Sequence, residues 1–127
     1  MEREHFEELV RRALATVPGE IAQRIDNVDV QVEDWPSSQQ LTAARVPPGR
    51  TLLGLYQGIP LTRRNSGYNL VPPDRITIFQ GPIERITQDD GALVDRVREV
   101  VVHEVAHHFG ISDARLHELE AQRKART

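Results

Sequence analysis

In the stretch "HEVAHHFGISD", residues 103–113, two histidines and a glutamate are spaced for metal chemistry. On a helix, His103 and His107 lie one turn and about 40° apart, so their rings project the same way. That spacing lets two imidazole nitrogens reach a single zinc ion at roughly 2.0–2.1 Å. Glu104 follows the first histidine and falls beside the open position of such a metal, where a carboxylate can take a proton from bound water. Zinc lowers the pKa of that water toward about 7 and polarises a scissile carbonyl. Glu104 would then pass the proton to the leaving amine, acting first as general base and then as acid. Grouping three ionisable side chains on a partly buried face without a metal would be costly, which favours the metal reading over a hydrogen-bonded polar patch.

A hydrolytic zinc usually takes three protein ligands and leaves the fourth position to water. Gly110 is suited to stop the helix in a left-handed turn that reverses the chain. Asp113, three residues on, is then the expected third ligand, with His117 and Glu120 as competitors on the following helix. Ser112 and Asp113 also suit the start of that helix, as cap and as a favourable charge on its dipole, and the two roles are compatible. His108 falls a further 100° round, on the side of Val97, Val101 and Val105. It is expected either in the core or as a support behind the site, facing away from the metal.

These side chains need a rigid helix, and residues 91–109 supply its pattern. Leu93, Val94, Val97, Val100, Val101, Val102, Val105, Ala106 and Phe109 cover most of the circumference, so the second half is expected to be buried nearly all round. Asp89 or Asp90 is placed to cap it. Phe6, Leu9, Val10, Ala13, Leu14 and Val17 form one apolar stripe of an N-terminal helix that stops near Pro18-Gly19. "GEIAQRI" suits a short second helix, "VDVQVED" alternates as a half-buried strand, and "TLLGLYQG" and "DRITIFQGP" are two further strands. "SSQQLTAARVPPGR" reads as a loop and "PIERI" as a helical turn. "RITIFQ" leads directly toward the metal helix, so it is the candidate edge strand on which an extended peptide could pair, with an ordinary core strand as the equal alternative. The 15 residues of "IPLTRRNSGYNLVPP" make a long connection. Its Arg63, Arg64, Asn65 and Tyr68 are placed to cover the site, with Tyr68 a candidate substrate or oxyanion contact.

The 127 residues, 39% hydrophobic and 28% charged, suit one globular domain with a modest core and an active site that is open or shared. There is no cysteine, which excludes disulfides, a thiolate zinc site and a cysteine nucleophile. The formal net charge of -3 offers no general attraction to nucleic acid or anionic membranes. No apolar signal segment and no stretch of about 20 apolar residues is evident, so the expected location is the cytoplasm, without membrane contact.

The residues also resemble a known group. "HEVAHHFGISD" matches HExxHxxGxxD, the aspartate-ended form of the metzincin pattern. "LLGLYQGIPLTRRNSGYNLVPPDRITIFQGPIERI" followed by that motif resembles the minimal zincin-like metallopeptidase family of small bacterial proteins. The resemblance spans residues 52–113 and implies a small α+β fold, with a short sheet packed on the HExxH helix and helices at both ends. It further implies Zn2+ held by His103, His107 and Asp113, with Glu104 as catalytic base. The expected substrate is a peptide or an unfolded protein segment. The methionine turn of true metzincins is absent, since the only methionine is Met1. Two other readings compete. One is a metal-binding interaction protein on the same scaffold with little turnover. The other is a metal-dependent endoribonuclease, because the H-x3-H-x5-ligand spacing is shared with ribosomal-RNA maturation enzymes; Glu104, Asp113 and the negative charge weigh against it.

Overall fold

The computed structural model describes residues 1–58 and 74–125. It has an α+β architecture of six helices and three strands among the described residues. The N-terminal helix α1 (Arg3–Leu14) presents Phe6, Leu9, Val10 and Ala13 as one buried stripe, as the spacing predicts. Helix α2 (Gly19–Ile25) adds Ile21 to the core. Strand β1 (Asp29–Glu33) follows, then α3 (Ser38–Ala43), β2 (Gly54–Gln57), β3 (Arg75–Phe79) and α4 (Gln80–Ile86). The long helix α5 (Asp90–Phe109) and the C-terminal α6 (Asp113–Ala125) complete the chain.

The sheet order is β1-β3-β2. Strand β1 pairs parallel to β3, with Val30 opposite Ile76, and β2 pairs antiparallel to it, with Tyr56 also opposite Ile76. This corrects the edge-strand reading of "RITIFQ" in favour of the core-strand one: it is the central strand, and β2 is the sheet edge nearer the motif helix. Ile76, Thr77, Ile78 and Phe79 are all fully buried, as suits a strand with neighbours on both sides. The parallel partner comes from far earlier in the chain, and sequence adjacency carries no trace of such a pairing.

A second correction concerns "SSQQLTAARVPPGR". Its first part is the short helix α3, stabilised by a capping box in which the Ser37 side chain accepts from the Gln40 backbone N–H and the Gln40 side chain accepts from the Ser37 backbone N–H. The Ser-x-x-Gln signature is there in the sequence, but no buried apolar face accompanies it.

Packing fixes α5 against the rest. Ile76 and Ile78 from β3, Phe6 and Leu9 from α1, and Leu93, Val97, Val101 and Val105 from α5 share one core. Asp89 caps α5, its side chain accepting from Ala92 N–H at 2.7 Å. Gly54 lets β2 lie close to α5: a Cβ there would stand 2.5 Å from Cγ1 of Val100. At the far end the near-total burial expected of α5 breaks down. Phe109 is 38% exposed, with the Arg24 guanidinium 4.9 Å from its ring centroid. Among the described residues no helix is long and apolar enough to cross a membrane.

Candidate metal and catalytic site

The last turns of α5 carry His103, Glu104, His107 and His108 on a face that the core leaves open. His103, His107 and His108 are exposed and Glu104 is half-buried, while Val101, Val102, Val105 and Ala106 between them are buried. Helical periodicity therefore separates the donors from the core, as the 3.6-residue repeat requires.

Glu104 has a defined partner. Its Oε1 accepts the backbone N–H of Tyr56 at 3.0 Å. Backbone alternation explains why that N–H is available. Phe79 N–H donates to Leu53 C=O at 3.0 Å, so Leu53 faces β3. Two residues on, Leu55 and Gln57 face β3 as well, which turns the polar groups of Gly54 and Tyr56 outward. The glutamate thus meets the outer side of an edge strand, partly covering it.

Gly110 ends α5 in the left-handed region, φ +69°, and Ile111 N–H closes the turn on Ala106 C=O at 2.9 Å. Ser112 Oγ then accepts from Arg115 N–H at 3.1 Å and opens α6, which places Asp113 in its first turn. The turn is braced from below by Arg115, whose side chain binds Glu118 at 2.7 Å and Glu20 at 2.9 Å. Those two carboxylates favour the charged guanidinium and raise its pKa further.

The reversal brings Asp113 to the same side of the molecule as His103. A cavity of about 620 Å³ between α5 and α6 is lined by both, and also by His117 and Glu120. His107 is not among its lining residues. Among the described residues no three His, Asp or Glu side chains converge closely enough to hold a metal ion. In kind, however, the donors suit zinc: two exposed imidazoles one helical turn apart and a carboxylate returned by a glycine turn. Tyr68, with Arg63, Arg64 and Asn65, lies outside the described residues.

His108 is not a core residue, which corrects that half of the expectation. It is exposed, and its ring stacks on Tyr56 with centroids 4.0 Å apart and planes at 23°. The position belongs to the last turn of α5, where the apolar wrap seen around Val97 and Val101 has ended. Tyr56 is a site residue that sequence reasoning misses. It acts on Glu104 through its backbone, 48 residues away in sequence, and no side-chain pattern announces such a contact.

Helix, sheet and donor arrangement together define a zincin-type scaffold, in which an edge strand lies beside a His-Glu-x-x-His helix. The family model for zincin-like metallopeptidases matches residues 25–123, and the chain belongs to that family. Among solved structures, a conserved hypothetical protein from Thermus thermophilus is similar, with a TM-score of 0.56 at 24% identity. That match covers 86% of this chain and 94% of the other, and at this identity the likeness is one of fold. No curated protein matches the chain.

Proposed function

We propose that the protein is a zinc-dependent peptidase acting on peptides or unfolded segments. His103, His107 and Asp113 would hold the metal. When bound, zinc supplies a water acidified toward neutral pH and a Lewis acid for the scissile carbonyl. Glu104 is the general base: it removes a proton from the attacking water and delivers it to the leaving nitrogen. The observation that carries this reading is the bond from Tyr56 N–H to Glu104 Oε1, which puts the carboxylate at the border between the motif helix and a sheet edge. An edge strand can present backbone groups to an extended peptide, so a base at that border lies where a peptide bond would be offered.

The second reading, a metal-binding interaction protein with little turnover, draws on the separation of His107 from the cavity shared by His103 and Asp113. A library of unfolded peptides decides between them. Zinc-loaded wild type is expected to cleave members of it, and Glu104→Gln to lose about 10³-fold in turnover, the scale of a lost general base. Equal cleavage by both proteins would refute the assignment of the base. Absence of cleavage by either would favour the interaction protein, and Glu104-dependent loss of RNA under the same conditions would favour the endoribonuclease.

A further inference from the structure

Among the described residues Tyr56 is held at its backbone, its ring and its hydroxyl, and the groups on the backbone and the ring, Glu104, the face of His108 and the edge of Phe109, all sit on the helix that bears the proposed base. Its backbone N–H donates to Glu104 Oε1 at 3.0 Å. Its ring lies against His108, four residues further along that helix, with centroids 4.0 Å apart. Its hydroxyl donates to Asp74 Oδ2 at 2.6 Å, a short bond of the kind a charged acceptor makes. Asp74 is itself anchored, its carbonyl accepting from Asp29 N–H at 2.8 Å beside the β1–β3 pairing. The spacing of Glu104 and His108 is one helical turn, so one face of α5 clasps both the backbone and the ring of a single residue.

We propose that Tyr56 is a positioning residue for Glu104, and that His108 works as the aromatic clamp that keeps Tyr56 in place. The proposal rests on the peptidase reading for its consequence, the orientation of the base, but its geometry is independent of turnover. A carboxylate on a half-exposed helix face samples several rotamers. One that accepts a backbone N–H from a strand fixed at its other groups is restricted to the orientation that makes the bond. Stacking against His108 supplies the directional contact of an aromatic pair. The demand on residue 108 is therefore for a flat ring, with no need for its nitrogens.

The test compares wild type, His108→Ala and His108→Phe, all full-length and loaded with zinc, by amide-resolved NMR. His108 is exposed, so its replacement leaves the core intact. In His108→Ala the Tyr56 amide proton is expected to move toward the shift of a free amide and to exchange about tenfold faster, as a released hydrogen bond would. The Leu55 amide, which faces β3, stays as it was and reports that the strand is intact. His108→Phe restores the Tyr56 amide to its wild-type behaviour. With a peptide substrate, His108→Ala lowers kcat several-fold at unchanged KM, and His108→Phe recovers it. An unchanged Tyr56 amide in His108→Ala, or failure of His108→Phe to restore it, overturns the clamp. Should the amide respond as expected in a protein that cleaves no peptide, the clamp stands and the peptidase reading falls.

Discussion

The two sides of the motif helix are built differently. On one side Glu104 meets β2, where Tyr56 N–H and the stacked His108 ring tie helix to sheet, and the Tyr56–Asp74 bond ties β2 to the start of β3. On the other, His103 and Asp113 look into an open cavity with His117 and Glu120, and His107 stands exposed a turn away. Glu104, the proposed base, is located by the fold itself, through a backbone contact that needs no ion. The proposed ligand side is located by one local device, the Gly110 turn, and its residues remain in contact with solvent. The two halves of the proposed chemistry therefore depend on different parts of the sequence: the proposed base on the sheet, the proposed ligands on the α5–α6 turn.

Two substitutions would sharpen or break that contrast. The larger effect is expected from Ile76→Ala. Ile76 is fully buried on the central strand opposite Tyr56, and removing it should cost about 2–5 kcal/mol, read as a lower midpoint in urea unfolding. It should also disturb the Tyr56 amide while leaving zinc affinity nearly unchanged under folding conditions. The smaller effect is expected from Gly110→Ala, which places a Cβ at φ +69° and should cost about 1–2 kcal/mol. Here the pattern inverts: zinc binding weakens because Asp113 is displaced, and the Tyr56 amide keeps its shift. If both variants perturb both sides equally, the division of labour is wrong.

How far these features can be read from sequence follows the same division. The ligand side depends on local signals: the i, i+4 histidines, the Asp89 cap and the Gly110 stop all act within a few residues, and helix α5 with its turn stands where they point. Asp113 occupies the first turn of α6, so its dipole role is realised, and it lines the same cavity as His103. The base side depends on long-range pairing. The central place of β3, the edge position of β2 and the backbone bond from Tyr56 to Glu104 arise from strands brought together across the chain. His108 eludes the sequence for a related reason: helical azimuth alone puts it beside Val97 and Val101, but the core ends before the last turn of the helix does.

Metal stoichiometry tests the central claim most directly. Wild type, His103→Ala and His107→Ala, each equilibrated with zinc and freed of excess, are compared by elemental analysis with circular dichroism as a check of folding. The account predicts one zinc per wild-type chain and loss of it in both folded variants, since each removes one of the two imidazoles required by the motif. Undiminished zinc in both variants would contradict it.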